Sequence, residues 1–126
     1  DFGFHNALLD EETLYWLDFE YAGWDDPAKT VCDAVCQPAL PLPTGAWPRL
    51  LAALEATARA RAEQLLPAYQ IKWCCIMLNE FTPEAQARRL FAGHPGDASQ
   101  LQAQLAKAEG LLSATDIPPL DPSSGA

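Results

Sequence analysis

The first twenty residues constrain the fold most strongly. They contain the pattern of a short hairpin, and polar side chains on either side of it can come together at one site. Apolar runs at residues 7–9 and 14–19 flank the polar segment 10–13. Two apolar runs around a polar turn predict a β-hairpin. Such a hairpin brings Asn6, before its first strand, close to Asp18, near the end of its second strand, so that one cation can reach both.

Asp1 extends this pattern, since it precedes Asn6 in the spacing D-x-x-x-x-N. Phosphoryl transfer needs a carboxylate that orients an acceptor hydroxyl and accepts its proton. It also needs an Asn and a second Asp that hold the Mg²⁺ ion bridging the phosphates of ATP. We therefore assign Asp1 as the catalytic residue, and Asn6 and Asp18 as the residues that bind Mg²⁺ and, through it, ATP. Taken alone, the same residues also fit an ordinary hairpin with solvated acids.

The longer string DFGFHNALLDEETLYWLDFEYAGWDDPAK resembles the catalytic core of the aminoglycoside phosphotransferase and choline kinase family. That family combines an Asp-x4-Asn loop with an Asp-(Trp/Phe)-Glu metal motif, a Gly, and an Asp-Pro pair that opens a helix. The matching residues here are Asp1, Asn6, Asp18-Phe19-Glu20, Gly23 and Asp26-Pro27. The resemblance covers roughly the first third of the chain, and it implies a protein-kinase-like C-terminal lobe in an ATP-dependent kinase of small molecules.

Residues that follow Asp18 are the candidates for binding the acceptor. Glu20, Trp24 and Asp25 are assigned to this pocket. Members of the family commonly carry an Asp three residues after the proline, where this chain has Thr30. The next acid is Asp33, and because it is out of place with respect to the family pattern, we do not expect it to have a structural role.

His5 stands directly before Asn6 and could be proposed as a catalytic base. The loop pattern already assigns proton acceptance to Asp1. We therefore expect His5 to support the loop by hydrogen bonding instead.

Charge and composition narrow the class of partner. The chain has 126 residues, enough for one domain with a core, and a formal net charge of −9. That charge argues against nucleic-acid binding, which relies on Lys and Arg. It suits a cationic acceptor such as an aminoglycoside or a choline-like amine, although it also serves solubility alone. No apolar run approaches the ~20 residues that span a membrane.

The cysteines indicate the compartment. Cys32 and Cys36 have helical spacing, and Cys74 and Cys75 are adjacent, so neither pair forms the C-x-x-C pattern of a zinc site. We expect buried, reduced thiols in a cytoplasmic protein.

The rest of the chain is predicted to be helical, which gives an α+β fold with a small catalytic hairpin. Asp26 and Pro27 have the residue types of a helix N-terminus. A second helix should start at Thr44 or Gly45 and be broken by Pro67. The remaining predictions are a buried helix through residue 81, a helix capped by Thr82, a last helix with a capping box at Ser99 and Gln102, and a turn at residues 93–96. The lobe should cover residues 1–113, with a flexible tail at 114–126.

The nucleotide-binding half of such an enzyme is not recognisable in these residues. They contain no glycine-rich phosphate loop and no strand Lys with a partner Glu. Because the chain starts inside the predicted catalytic loop, we expect a C-terminal piece of a larger enzyme that is inactive without its N-terminal lobe. One alternative is a non-catalytic helical interaction module that self-associates through exposed apolar faces. A second alternative is an acidic, metal-binding hairpin protein.

Overall fold

A two-stranded antiparallel sheet precedes five helices in the computed structural model, which describes residues 3–18, 23–43, 45–93 and 97–116. The predicted α+β class is therefore confirmed. Two short 3-10 turns, Phe4–Asn6 and Asn79–Phe81, complete this part of the chain. The strands and helices are β1 (Ala7–Asp10), β2 (Thr13–Trp16), α1 (Pro27–Cys36), α2 (Ala46–Ala52), α3 (Ala56–Leu78), α4 (Pro83–Phe91) and α5 (Ala98–Ser113).

The predicted hairpin is present, but its second strand is shorter than expected. β1 and β2 pair with Ala7 opposite Trp16 and Asp10 opposite Thr13. The extended conformation does not continue to residue 19, because Asp18 has a φ of 60°. A left-handed backbone cannot continue a strand, and β2 ends at Trp16, two residues before Asp18.

Helix α1 begins where the sequence predicts. The Asp26 carboxylate accepts a hydrogen bond from the backbone N–H of Ala28, and Pro27 occupies the first turn. A cap of this kind satisfies an N–H group that the helix itself leaves without a partner. Arg61 of α3 donates two hydrogen bonds of 2.9 Å to the same carboxylate. The first turn of α1 is therefore also tied to α3.

Small side chains allow α1 and α3 to pack closely. The main cluster of buried apolar residues joins α1, α2 and α3, and its members are Ala28, Val31, Cys32, Leu51 and Ala62. The Cys32 thiol lies 3.4 Å from the backbone oxygen of Ala62 and donates to it. Alanine and cysteine bring the helix backbones near each other because they add little volume between them.

Asp33 contradicts our expectation that it has no structural role. Its side chain is only 2% exposed, on the face of α1 that meets α3. One carboxylate oxygen accepts hydrogen bonds from Lys72 Nζ at 2.7 Å and Trp73 Nε1 at 2.9 Å, and the other oxygen pairs with Lys29 at 3.2 Å. Burial acts to raise the pKa of Asp33, but these hydrogen bonds outweigh it and hold the pKa below its usual value.

The prediction of one helix from about residue 45 to residue 66 is wrong. The helical conformation is interrupted at residues 53–55, which separate α2 from α3. Arg59 stabilises this break, because its side chain donates to the backbone oxygens of Leu51 at 2.9 Å and Leu54 at 3.2 Å. The Leu51 oxygen also accepts the backbone N–H of Leu54 at 3.1 Å. Both carbonyl groups lie at or just beyond the end of α2, where no further turn of that helix donates to them.

Pro67 does not break α3, although we predicted that it would. The helix runs through it without interruption to Leu78. A proline inside a helix costs about 3 kcal/mol, because it removes a hydrogen bond and crowds the preceding turn. Leu66 and Tyr69, on either side of Pro67, pack against the main core. Their burial favours a continuous helix and offsets this cost.

A second, smaller core joins α3 to α5. Its buried members are Cys74, Met77 and Ala108, with Leu111 packed against them. Trp73 is buried as well, so that Trp73 and Met77 are core residues as the sequence indicated. At the start of α5, the cap is Asp97, whose carboxylate accepts from the backbone N–H of Ser99 at 3.0 Å. The predicted capping box at Ser99 and Gln102 is therefore wrong.

All four cysteines are free thiols, as predicted. Cys75 is exposed, however, while the other three are buried. Burial raises the pKa of Cys32 to about 11 and that of Cys36 to about 12, so both remain protonated and unreactive at neutral pH. Within the described ranges, no helix is long and apolar enough to cross a membrane.

The Asp33 contacts predict a large loss of stability on Asp33→Asn. The substitution keeps the shape of the side chain but removes its charge, so we expect the free energy of unfolding to fall by about 2–3 kcal/mol. Because the native pKa of Asp33 is lowered, this stabilisation is complete above the ordinary Asp pKa of about 3.9 and is lost as the pH falls through the native pKa.

Urea unfolding of the unsubstituted chain and of the Asp33→Asn variant, at neutral pH and in acid, measures the loss of stability. The difference between them should be largest at neutral pH and shrink in acid. Asp25→Asn is the matched control, since the Asp25 carboxylate is half exposed and pairs with the same Lys29. Equal effects of the two substitutions at neutral pH would contradict the prediction.

Candidate functional site

The hairpin register places Asn6 and Asp18 at the same end of the sheet. Ala7 is opposite Trp16, and beyond this pair the backbone N–H of Leu17 donates to the backbone oxygen of Asn6 at 2.8 Å. Asn6 is thus paired with the residue directly before Asp18. The acidic turn at Glu11 and Glu12 lies at the opposite end of the hairpin.

The backbone before Asn6 forms a tight 3-10 turn, Phe4–Asn6. The backbone N–H of Asn6 donates to Gly3 O at 3.0 Å and closes this turn. The Phe4 ring stacks on the Trp16 ring with centroids 5.9 Å apart, which joins the turn to β2. Asn6 is therefore held by β2 on one side and by its own turn on the other.

His5 links this turn to the helical part of the chain. Its Nδ1 atom lies 3.0 Å from Nε2 of Gln37, the residue that follows α1. The expectation that His5 supports the loop by hydrogen bonding is confirmed. The hairpin and the C-terminal end of α1 thus have a direct polar contact.

Asp18 is exposed and has a left-handed backbone conformation, with φ at 60°. Aspartate tolerates this region better than most residues, because its short polar side chain can bond locally. Non-glycine residues with positive φ are often found at functional sites, where the surrounding structure holds them in place. The conformation makes Asp18 a candidate on geometric as well as sequence grounds.

The structure places two of the three acceptor candidates in the loop before α1. Trp24 is fully exposed to solvent. The Asp25 carboxylate pairs with Lys29 at 2.9 Å and accepts a hydrogen bond from the backbone N–H of Asp26 at 2.8 Å. The hydrogen bond from Lys29, followed by that from Asp26, lowers the pKa of Asp25. Asp25 is therefore ionised, but its charge is already balanced by a lysine.

The chemistry of the donor atoms decides whether Asn6 and Asp18 suit Mg²⁺. Magnesium prefers oxygen ligands, and at nucleotide sites it takes one or two carboxylates together with phosphate oxygens and water. An amide oxygen and one carboxylate at the same end of the hairpin fit this requirement. In the described part of the chain, no group of three or more His, Cys, Asp or Glu residues gathers as a self-sufficient metal site.

Several predicted positions lie outside the described residues. These are the catalytic Asp1, Phe19 and Glu20 of the metal motif, Thr44 at the predicted helix start, residues 94–96 of the predicted turn, and residues 117–126 of the predicted tail. Of the tail, Ala114 caps the end of α5, and the Thr115 hydroxyl donates to Leu111 O at 2.9 Å.

Sequence reasoning did not identify Gln37 or the lysines that bind Asp33. Gln37 is 6% exposed, although it stands before a proline at a helix end, where an exposed residue is expected. Lys72 interrupts an apolar segment of α3, and that interruption was a usable signal. Lys72 is 44% exposed, and Ile71 and Ile76 are each 40% exposed, so the helix predicted to be buried here is buried on one face only.

Comparisons with models of known protein families, with curated proteins and with solved structures find no match to this chain. The link to small-molecule kinases therefore rests on the motif residues themselves.

We predict that Asn6 and Asp18 bind the same divalent ion. Mn²⁺ can replace Mg²⁺ as a paramagnetic probe, and in the ¹⁵N-labelled chain it should broaden amide signals of residues 5–7 and 16–18. Asp18→Asn should remove this broadening, because it takes away the charged ligand.

Asp10→Asn is the matched control, since Asp10 lies on the same hairpin but beside its turn. It should leave the broadening in place. Broadening centred on residues 10–13 in the unsubstituted chain would instead place the ion at the acidic turn, against the prediction.

Proposed function

We propose that this chain is the catalytic-loop lobe of an ATP-dependent phosphotransferase that phosphorylates a hydroxyl group of a small molecule. The observation that carries the proposal is the pairing of Leu17 with Asn6, which brings the Asn of the D-x4-N pattern next to the Asp of the metal motif. The fit of these two oxygen donors to Mg²⁺ supports it. The resemblance to the aminoglycoside phosphotransferase and choline kinase family is consistent with both.

In this proposal each of three side chains has one task. Asp1 orients the acceptor hydroxyl and accepts its proton as the oxygen attacks the γ-phosphorus of ATP. Asn6 and Asp18 hold Mg²⁺, which neutralises charge on the phosphates when bound. Rate acceleration comes from positioning and from charge stabilisation, because phosphoryl transfer needs no covalent intermediate with the protein.

Charge around the site favours a cationic acceptor. The chain carries a net charge of −9, which attracts cations over a distance. The exposed Trp24 ring can bind an ammonium group through a cation–π contact. Asp25 is a less direct ligand than its position suggests, because an acceptor amine has to compete with Lys29. We place Glu20 in the same pocket on the basis of the motif.

The nucleotide phosphates need a second binding surface in this proposal. We assign it to an N-terminal lobe of a larger cytoplasmic protein, which supplies the glycine-rich loop and the lysine. The lobe described here is then inactive by itself.

Exposed apolar side chains on the hairpin favour the second candidate function, a helical module that self-associates. Among the described residues, the hairpin is half-buried only at Ala7 and Trp16, and its exposed apolar residues are Leu8, Leu9, Leu14 and Tyr15. A two-stranded hairpin is marginally stable without a cover. A docked lobe of the same enzyme and a second copy of the chain are two ways of covering it.

Self-association can be measured directly. If the hairpin joins two copies, sedimentation equilibrium should show a dimer, and Leu9→Lys should convert it to a monomer, because Leu9 is 67% exposed and a charge there opposes apolar contact. Leu90→Lys is the control, since Leu90 is equally exposed but lies on α4. A monomer at all concentrations would exclude this candidate for the isolated chain.

The enzymatic proposal predicts that two substitutions cause different defects in the complete gene product that contains this chain. Asp1→Asn should remove most turnover and leave the affinity for ATP nearly unchanged, because the carboxylate acts mainly in the transition state. Asp18→Ala should weaken Mg²⁺–ATP binding itself, because it removes a charged metal ligand. Steady-state kinetics and nucleotide titration separate the two effects.

Asp10→Ala serves as the control, since it also removes an aspartate of the hairpin but at the turn end. It should retain both turnover and nucleotide affinity. A complete protein that binds no nucleotide, or that keeps full turnover after Asp1→Asn, would overturn the kinase proposal.

A further inference from the structure

Gln37 is a buried residue, and both polar atoms of its side-chain amide have hydrogen-bond partners. Its Oε1 atom accepts hydrogen bonds from the backbone N–H groups of Ala39 at 2.6 Å and Leu40 at 3.2 Å. Its Nε2 atom faces Nδ1 of His5 at 3.0 Å. A single side chain thus joins the bend after α1 to the loop before β1, across 32 positions in the sequence.

The two backbone donors decide which way the amide points. If the amide were turned over, its NH₂ group would face the N–H groups of Ala39 and Leu40, and donors would meet donors. The Nε2 group must therefore be the one that faces His5, and it can only donate. His5 Nδ1 is then the acceptor, so in the neutral ring the proton is on Nε2.

The backbone at Gly3 lies very close to the His5 and Gln37 side chains. A Cβ atom at Gly3 would lie 2.7 Å from His5 Nδ1 and 3.2 Å from Gln37 Cγ. The first distance is too short for any side chain, so a glycine is needed for the loop to approach the imidazole and the amide. Gly3 O in turn accepts the backbone N–H of Asn6. Contacts therefore run without a gap from Gln37 through His5 and Gly3 to Asn6.

We propose that Gln37 is a positioning residue for the metal-binding loop, acting through the His5 imidazole, which it holds in the Nε2–H tautomer. Its effect on the metal rests on the proposed function, because Asn6 is a magnesium ligand only in that proposal. Partners that orient residues at a metal site commonly change metal affinity when they are replaced, although they do not touch the ion.

The tautomer can be tested without any ligand. The chain has two histidines, so ¹⁵N ring signals in a His94→Ala background belong to His5 alone. In mildly alkaline buffer they should show Nε2 protonated and Nδ1 bare. Gln37→Glu keeps an oxygen acceptor for Ala39 and Leu40 but presents a carboxylate oxygen to His5. It should move the ring proton to Nδ1, which a purely space-filling role of Gln37 would not do.

Metal affinity tests the positioning role. Gln37→Met removes the amide without adding charge, and it should weaken Mn²⁺ binding at the open end of the hairpin about tenfold. Gln102→Met is the control, because Gln102 is exposed on α5. Far-UV circular dichroism and thermal unfolding establish that both variants remain folded. The ring signals of Gln37→Glu provide a second readout if Gln37→Met does not fold.

Two results separate this inference from the proposed function. Wild-type chain that binds Mn²⁺ at residues 5–7 and 16–18, together with a Gln37→Met variant that binds it equally well, would overturn the positioning role and leave the proposed function intact. Absence of Mn²⁺ binding in the wild-type chain would overturn the proposed function, and the positioning role with it. A ring proton that stays on Nε2 in Gln37→Glu would contradict the hydrogen-bond assignment itself.

Discussion

The buried carboxylate of Asp33 is the interaction on which the arrangement of the helices depends most. It sits between α1 and α3, and a buried charge is tolerated only when it is paired and hydrogen-bonded. Lys72 and Trp73 of α3 and Lys29 of α1 meet this requirement together. The two lysine side chains are themselves only partly exposed, 35% for Lys29 and 44% for Lys72, and their Nζ atoms lie 3.2 Å and 2.7 Å from the buried carboxylate. The orientation of α1 against α3 is thus specified by polar contacts as well as by apolar packing.

Both ends of helix α1 contact residues of the candidate site, so the packing of α1 also positions that site. At its first turn, Lys29 pairs with Asp25 of the preceding loop, and Arg61 binds the Asp26 cap. After its last turn, Gln37 holds His5 and, through it, the loop that carries Asn6. None of the strand residues is buried, so the hairpin has little apolar packing of its own to fix its position. The polar contact at Gln37 is important for that reason.

The same structure accommodates both functional candidates, because each requires the hairpin to be covered. In the phosphotransferase proposal an N-terminal lobe covers it, and in the interaction-module proposal a second copy does. The two differ in what they require of Asn6 and Asp18. Only the phosphotransferase needs these side chains to bind a metal, which is why metal binding separates the proposals more sharply than exposed apolar area does.

Local sequence determined the elements whose signals are complete within a few residues. The hairpin, the Asp26-Pro27 start of α1 and the Thr82-Pro83 start of α4 follow from turn and capping chemistry, which needs no distant partner.

Tertiary structure decided the rest. Pro67 stays inside α3 because its neighbours Leu66 and Tyr69 pack, partly buried, against the core shared with α1 and α2. Arg59 turns toward the end of α2, where its side chain donates to the backbone oxygens of Leu51 and Leu54. Asp33 and Gln37 gained their roles from groups 32 to 40 positions away. Such long-range pairings are created only when the helices pack, and no local pattern encodes them.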